Sequence, residues 1–307
     1  MNIEIGKGLS NIIFGMTEDE IIQLLDQPDR ILTCRDDGRE YLYNALKLKL
    51  FFGFEESDRL YSIEVFRKDI TFLSTRVIGL SLEDLLSFMQ QNGYQEYKVN
   101  HFDYFDTIFF DACDTSFTIE FNEVTSFEFS PLFYKDKIIW PCKNQQHGSN
   151  LYFTAPKKGV APQKMNIEIG KGLSNILFGM TKNEVIQLLG QPDKILTCRE
   201  DGQEFIYNAL KIKLFFDFEE NKRLYSIEVC NSDITFLSTQ VIGLPLKKLL
   251  SFMKANGYEK YEVDCYDYFD TVFFEDCNTY FTLQFNEVTS VEFSPLFKND
   301  DEIIWPN

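Results

Sequence analysis

The sequence predicts an α+β fold class, as a tandem duplication of a domain of about 140 residues in which each copy holds two helix-plus-antiparallel-sheet modules. The first observation is a repeated block, since residues 11–31 read NIIFGMTEDEIIQLLDQPDRI and residues 175–195 read NILFGMTKNEVIQLLGQPDKI. The second is the extent of the repeat, because 96 of the 133 residues from Met1 to Phe133 are identical at an offset of 164 positions. The third is a helix-capping pattern followed by alternating strands, which occurs at Thr17 and Ser81 in the first copy and at Thr181 in the second.

Each predicted helix begins at a recognisable N-cap. Thr17 is followed three residues later by Glu20, which is the spacing of a capping box, and acidic residues in the first turn suit the positive end of the helix dipole. Apolar residues at helical spacing follow, and Pro28 ends the helix. An offset of 64 positions places Ser81 in the same role, with Gly93 as the terminator of the second helix.

Three antiparallel strands are predicted after each helix of the first copy. They span residues 40–43, 46–54 and 59–66 after the first helix, and 103–111, 115–121 and 124–130 after the second. Turn-forming residues at 36–38 and 56–58 separate the first set. In the strand 46–54 the even positions are apolar and alternate with Lys47 and Lys49, so we expect one face to pack and the lysines to meet water.

The predicted domain boundaries follow the repeat. Residues 1–142 form the first copy, with modules at about 1–69 and 70–142, and residues 165–307 form the second, with modules at about 165–233 and 234–307. Residues 143–164 between them contain four lysines, no acidic residue and no hydrophobic periodicity, which predicts a flexible basic linker. A fusion of two adjacent reading frames and an engineered joint both fit this linker.

The charge of the chain limits the classes of partner. The formal net charge is −18, and both copies are strongly acidic. An acidic field repels nucleic acid and anionic lipid and speeds encounter with positively charged proteins, although plain solubility explains it as well. No apolar run is long enough to cross a bilayer and the N-terminal MNIEIGKG lacks the apolar segment of a signal peptide, so we expect a cytoplasmic protein with reduced cysteines.

Catalytic residues are scarce, which predicts a protein that is not an enzyme. The histidines are His101 and His147, of which the first is replaced by Cys265 in the second copy and the second lies in the linker. Neither copy offers a Cys/His or Ser/His/Asp set. No CxxC pair, Gly-rich phosphate loop or regular carboxylate motif predicts a metal or a cofactor.

The stretch HFDYFDTIFFD at 101–111 breaks the regular alternation and is the candidate binding surface. Phe102, Tyr104, Ile108 and Phe110 share one face and are predicted core, which leaves aromatic and acidic residues together on the other face. Aromatic anchors among carboxylates suit a basic protein partner, although a strand with both faces buried fits the pattern equally. The predicted partner-binding residues, with weaker candidates on a neighbouring strand at the end, are Asp103, Phe105, Phe109, Asp111, Asp267, Phe269, Phe273, Glu275, Tyr43 and Tyr207.

The block FGMTEDEIIQLLDQPD at 14–29 and its copy at 178–193 resemble the BamE/SmpA and beta-lactamase-inhibitor-protein (BLIP) superfamily, whose members begin with a similar Gly-Met-Thr helix. The resemblance implies paired helix-plus-sheet modules in each copy. The sequence departs from that superfamily in having no lipid-anchoring cysteine near residue 1 and no matched disulfide cysteines. A small acidic protein ending in Trp-Pro also resembles the immunity proteins of bacterial polymorphic toxin systems.

These features predict a non-enzymatic inhibitor, an immunity protein that occludes the active site of a cognate bacterial toxin with an acidic, aromatic surface. A basic toxin such as a nuclease would be the partner, with no role for nucleic acid or membrane. Two alternatives stay open from the sequence. One is a BamE-like structural or assembly factor, and the other is a phage or mobile-element protein that sequesters a small molecule.

Overall fold

The structure is a computed structural model that describes residues 2–33, 38–53, 58–135, 137–141, 165–197, 202–216, 223–299 and 302–306. The chain divides into two compact units, Met1–Lys157 and Lys158–Asn307. The predicted linker at 143–164 lies outside the described residues, as do most residues of the predicted turns at 36–38 and 56–58.

The predicted α+β class is wrong, because the protein is mostly β. Among the residues that the structure describes, 46% lie in strands and 16% in helices. The capping patterns mark where helices begin, but the helices that follow are only eight and ten residues long. Strands that the sequence reasoning missed, at Arg30–Thr33 and Lys98–His101, add further to the sheet.

The described part of the first unit contains thirteen strands and two α-helices. The strands are β1 Ile3–Glu4, β2 Gly8–Leu9, β3 Ile12–Ile13, β4 Arg30–Thr33, β5 Arg39–Tyr43, β6 Leu48–Gly53, β7 Arg59–Val65, β8 Lys98–His101, β9 Asp106–Phe110, β10 Thr115–Glu120, β11 Glu123–Phe129, β12 Phe133–Tyr134 and β13 Lys137–Ile138. The helices are α1 Glu18–Leu25 and α2 Leu82–Gln91.

The described part of the second unit has the same sequence of elements with one additional short strand. The strands are β14 Asn166–Glu168, β15 Gly172–Leu173, β16 Ile176–Leu177, β17 Lys194–Thr197, β18 Gln203–Tyr207, β19 Ile212–Phe216, β20 Leu224–Val229, β21 Thr235–Phe236, β22 Glu262–Cys265, β23 Asp270–Phe274, β24 Thr279–Gln284, β25 Glu287–Phe293, β26 Leu296–Asn299 and β27 Glu302–Ile304. The helices are α3 Lys182–Leu189 and α4 Leu246–Ala255.

The predicted capping of α1 is confirmed. The Thr17 side chain accepts a hydrogen bond from the Glu20 backbone N–H, and the Glu20 carboxylate accepts one from the Thr17 N–H at 3.0 Å. Ser81 caps α2 with a single bond of this kind, in which its hydroxyl accepts from the Asp84 N–H at 3.1 Å. These bonds satisfy backbone donors that a helix start leaves unpaired, so the sequence signal has a direct structural cause.

The two predicted modules of each copy are not separate sheets. The eight main strands of the first unit form one sheet in the order β4-β5-β6-β7-β11-β10-β9-β8, and the second unit repeats it as β17-β18-β19-β20-β25-β24-β23-β22. The join is the antiparallel pairing of β7 with β11, where Ile63 lies opposite Phe129. A single sheet eight strands wide therefore replaces two three-stranded ones.

Both helices of a unit pack on the same side of its sheet. Ile21 of α1 and Leu85 of α2 belong to one buried cluster with Leu50, Ile63 and Phe117 of the strands. Phe117 is fully buried and lies within 6 Å of the ring centres of Phe72, Phe110 and Phe127. The core is thus a single layer between the helices and one face of the sheet.

The tryptophan near the end of each copy closes this core. Trp140 packs against the core of the first unit beside Gly15, whose backbone has φ of +85°. A Cβ on Gly15 would lie 2.9 Å from the Trp140 ring, and Gly179 and Trp305 repeat the contact in the second unit at 3.0 Å. Glycine is required there for its conformation and for the close approach.

Candidate protein-binding surface

The outer face of each sheet, defined as the side turned away from the two helices, is crossed by a row of directly paired residues. In the first unit Leu48 and Leu50 of β6 point into the core, so Lys49 between them lies on the outer face. Following the strand pairs from β4 to β8, the row is Arg30, Leu42, Lys49, Glu64, Glu128, Ser116, Phe109 and Lys98. In the second unit it is Lys194, Ile206, Lys213, Glu228, Glu292, Tyr280, Phe273 and Glu262.

The centre of this row is a buried network of charges. The Lys49 ammonium lies 3.3 Å from Glu64 Oε2 and 3.9 Å from Glu40 Oε1, and 5.0 Å from the centre of the Phe66 ring. The Ser126 hydroxyl donates to Glu64 at 2.8 Å. The expectation that Lys49 meets water is wrong, because its side chain is only 10% exposed. In the middle of a wide sheet, side chains of the neighbouring strands shield a residue from water. The alternation of apolar and polar residues within one strand does not reveal this shielding.

Glu128 completes the central network. Its carboxylate accepts a hydrogen bond from the Ser62 hydroxyl at 2.6 Å. Burial raises the pKa of Glu128, and the nearby Glu64 carboxylate raises it further, while the Ser62 hydrogen bond and Lys49 act in the opposite direction. Glu292 in the second unit has the same raised pKa from burial and accepts from Ser226 at 2.8 Å. The network therefore consists of charged and polar groups that interact with one another inside the sheet.

Two of the described thiols are buried at equivalent positions of the two units, which disfavours reactivity. Cys113 and Cys277 are buried, and burial raises the pKa of each to about 11, which opposes the thiolate form. Cys34 and Cys198 lie outside the described residues. Among the described residues, no group of three or more histidine, cysteine, aspartate or glutamate side chains is arranged to hold a metal ion.

The edge of the sheet is exposed and aromatic, in contrast to its centre. The chain reverses between β8 and β9, where the Phe102 N–H donates to the Phe105 carbonyl at 2.9 Å. The rings of these two residues stack with centres 4.6 Å apart, and they are 48% and 39% exposed. Tyr104 between them is equally exposed. We call Phe102, Tyr104 and Phe105 the aromatic tip.

The second unit repeats the aromatic tip. Tyr266 donates its backbone N–H to the Phe269 carbonyl at 2.9 Å, and the two rings stack with centres 4.8 Å apart. Tyr268 occupies the place of Tyr104 and is similarly exposed. The exposed rings fill no core in either unit. Packing therefore does not explain why large apolar side chains are exposed at the equivalent position of both units.

Two sequence predictions about this stretch are wrong. The predicted strand 103–111 is shorter, because β9 begins only at Asp106. Phe102 and Tyr104 were expected in the core, and that expectation is wrong because they precede the strand and lie in the reversal, where alternation no longer applies. Phe105 and Phe269 are exposed as the binding hypothesis requires, although on the reversal and not on a strand face.

The predicted acidic residues lie at both ends of the hairpin formed by β8 and β9, and of its counterpart formed by β22 and β23. Asp103 and Asp267 are in the two reversals, next to the exposed rings. Asp111 directly follows β9 in a short 3-10 turn, where its carboxylate binds the Lys98 ammonium at 2.8 Å, and Glu275 begins the equivalent turn after β23. The structure thus places both aromatic and carboxylate candidates along one edge of each sheet.

Phe109 and Phe273 lie on the outer face next to this edge. The Lys98 ammonium is 5.9 Å from the centre of the Phe109 ring. Phe273 instead stacks on Tyr280, with ring centres 4.2 Å apart and an interplanar angle of 21°. Both rings are half-buried, in agreement with their predicted position on the face opposite the core.

Tyr43 and Tyr207 do not belong to the surface. Both are buried, and their hydroxyls donate to the backbone carbonyls of Asp26 at 3.1 Å and Gly190 at 3.0 Å. Burial raises the pKa of Tyr43 to about 12. The prediction that they contact a partner is wrong, because the strand they occupy turns its tyrosines toward the helices.

Sequence reasoning missed the edge strands β8 and β22. Tyr97 and Val99 in the first unit, and Tyr261 and Val263 in the second, are exposed apolar residues in these edge strands or directly before them. The available signal was the alternation of apolar and polar residues in YKVN at 97–100. Each edge strand is paired on one side only, and such an edge is where an additional protein segment can bind.

Comparisons with known proteins identify no family for this chain. No family model matches it, and no curated protein does. Among solved structures, an extracellular protein containing an SCP domain from Bacillus anthracis str. Ames is 13% identical with a TM-score of 0.28, covering 43% of this chain and 48% of that one. A cysteine-rich secretory protein from Staphylococcus aureus subsp. aureus Mu50 is 15% identical with a TM-score of 0.23, covering 38% and 42%. The chain spans less than half the length of either protein.

The described helices are all too short or too polar to span a bilayer.

Proposed function

We propose that this protein is a non-enzymatic inhibitor, an immunity protein that binds a basic bacterial toxin and blocks its active site. The observation that supports the proposal is the stacked, exposed aromatic pair beside a carboxylate, which is present at the same edge in both units. Exposed aromatic side chains supply most of the binding energy at many protein interfaces, because their large apolar area leaves water on binding.

The acidic character of the chain supplies the second part of the proposed mechanism. With a net charge of −18, the protein attracts a positively charged partner over a distance, which speeds association. Burial of the tip rings in a cleft of the toxin then slows dissociation. A nuclease fits this partner best, because an enzyme that binds nucleic acid carries a basic cleft.

The cytoplasm is the compartment in which we propose that the protein acts. Cys113 and Cys277 occupy equivalent buried positions in their units as free thiols. Free thiols are typical of proteins in reducing compartments. An immunity protein that protects the producing cell against a toxin would meet its target there.

The test co-expresses the protein with the product of each gene next to its own and asks whether it suppresses a toxic effect on growth. The variant Phe105→Ser with Phe269→Ser removes one ring from each tip. We expect it to lose protection of growth and to bind the toxin at least roughly thirtyfold more weakly by calorimetry, since an interface anchor contributes about 2 kcal/mol or more.

The matched control is Phe133→Ser with Phe297→Ser, which removes one exposed phenylalanine from each unit away from the tip. This variant should protect cells as the wild type does. Equal protection by both variants, or equal loss in both, would discard the tip as the binding surface.

The proposed electrostatic attraction of the toxin is tested by Asp103→Lys with Asp267→Lys. This variant should slow association and reduce the dependence of the association rate on salt.

A further inference from the structure

The two units differ most informatively at the edge strands β8 and β22. The first reads KVNH and the second reads EVDC, so Lys98 is replaced by Glu262, Asn100 by Asp264 and His101 by Cys265. The segment 262–276 contains six acidic residues and no lysine or arginine, whereas 98–112 contains three acidic residues and Lys98. The edge of the second unit therefore carries much more negative charge.

In the first unit, a cation already occupies the outer face at this edge. The Lys98 ammonium lies 2.8 Å from one Asp111 oxygen and 2.9 Å from the other, and 5.9 Å from the centre of the Phe109 ring. A carboxylate beside an aromatic ring is a favourable environment for an ammonium or guanidinium group. In the first unit, this position on the sheet is thus occupied by the ammonium group of a lysine from the same chain.

In the second unit the equivalent position has an aromatic ring and a carboxylate like those beside Lys98, but no lysine. Glu275 stands in the place of Asp111, and Phe273 stands in the place of Phe109. Glu262 replaces the lysine itself and lies directly opposite Phe273 across the strand pair. In the described part of the chain, neither Glu262 nor Glu275 forms an ion pair.

The aromatic surface is also larger in the second unit. Tyr280 stands where the first unit has Ser116, and its ring stacks on Phe273 at 4.2 Å. Tyr280 is 41% exposed. Burial raises the pKa of its hydroxyl, and the carboxylates of Glu292, Asp264 and Glu262 raise it further, so these acids lie within electrostatic range of the ring pair.

We propose that the edge of the second unit, formed by Glu262, Asp264, Phe273, Glu275 and Tyr280, is a binding site for a lysine or arginine side chain of a protein partner. The cation would take the place that Lys98 holds in the first unit, against the stacked rings and between the carboxylates. The first unit cannot bind a second cation there because its own lysine fills the position.

This inference deepens the proposed function by naming the group that the second unit recognises. It makes the two units different in role, although 96 of 133 aligned residues are identical. The basic partner would be held by a specific contact at the second edge, while the aromatic tips are available in both units.

The test titrates the full-length protein with the capped peptide Gly-Arg-Gly and follows backbone amide shifts by NMR. We expect saturable shifts at 272–274 and at Tyr280, with no matching shifts at 108–110. The peptide Gly-citrulline-Gly has nearly the same shape without the charge and should not bind. Equal binding of the citrulline peptide, or equal shifts in both units, would overturn the proposal.

Two substitutions exchange the properties of the units. Glu262→Lys installs the internal cation in the second unit and should weaken peptide binding by at least roughly tenfold, since it removes an attraction and adds a repulsion of similar size. Lys98→Glu empties the first site and should create new shifts at 108–110. The control Glu168→Lys makes the same change of charge at an exposed position on β14 and should leave binding nearly unchanged.

The outcomes separate this inference from the proposed function. If Glu262→Lys loses the peptide but still neutralises the toxin, the cation site stands and its use by the toxin is refuted. If the peptide does not bind the wild type while the tip variants lose protection, the cation site is refuted and the immunity function stands.

Discussion

Lys49 and Lys98 lie in the same cross-strand row on the outer face of the first sheet, yet their surroundings are opposite. Lys49 at the centre is 10% exposed and held by buried carboxylates, whereas Lys98 at the edge is 67% exposed and pairs with a carboxylate on the surface. The difference teaches that position across the sheet, and not residue type, decides what a charged side chain does. The centre holds its charges inside the sheet, and the edge leaves its charges exposed to solvent.

The largest expected effect comes from removing each lysine in turn. Lys49→Ala leaves buried carboxylates without their cation and should lower the free energy of unfolding by about 3–5 kcal/mol. Lys98→Ala breaks an exposed pair that salt screens, so it should cost about 1 kcal/mol or less. Denaturant unfolding at neutral pH measures both. Similar losses for the two variants would mean that the centre and the edge do not differ as described.

A second expected effect concerns pH and the Glu128 carboxylate at the centre. Because its pKa is raised in the folded protein, the folded state holds the proton more tightly, and stability falls as pH rises from the ordinary glutamate pKa through the raised value. Glu128→Gln keeps an acceptor for the Ser62 hydroxyl and cannot ionise. It should therefore be more stable than the wild type above the raised pKa, with no such gain below the ordinary one.

Unfolding curves from about pH 4 to about pH 8 would measure this difference. The natural comparison is Glu292→Gln at the equivalent buried position of the second unit, where burial also raises the pKa and we expect a pH-dependent gain of the same sign. A gain for Glu128→Gln that is independent of pH would show that burial of the charge is not its cause.

The smallest expected effect on stability is at the aromatic tip. Phe105→Ser should change the free energy of unfolding by no more than about 0.5 kcal/mol, because the ring is exposed and supports no core. Phe117→Ala in the core should cost about 3–5 kcal/mol. A tip variant as damaging as the core variant would show that the tip rings stabilise the fold, which would remove the reason to assign them to binding.

Local patterns could be predicted, and non-local ones could not. The capping box of Thr17 and Glu20 is read within four residues, and the structure contains it. The pairing of β7 with β11 joins residues more than sixty positions apart, so no window of sequence reveals it. The predicted three-strand sheets were wrong for that reason, and the edge strands β4 and β8 were missed because each is only four residues long.

For the candidate surface, too, some features could be predicted from the sequence and others could not. The composition of 101–111 indicated correctly that aromatic rings and carboxylates occur together, and Phe105, Phe109 and their counterparts are accessible or half-buried. The alternation argument failed at Phe102 and at Tyr43. The first lies in a chain reversal, and the second faces the helices on a strand covered from that side.

By itself the sequence determined the duplication, the acidic charge, the helix starts and the approximate position of most strands, because each of these depends on neighbouring residues or on composition. The tertiary structure decided which charges are buried, which rings are exposed and which side chains surround each lysine. Those properties depend on what lies across the sheet from a residue, and strand pairing over long separations in the chain sets that arrangement.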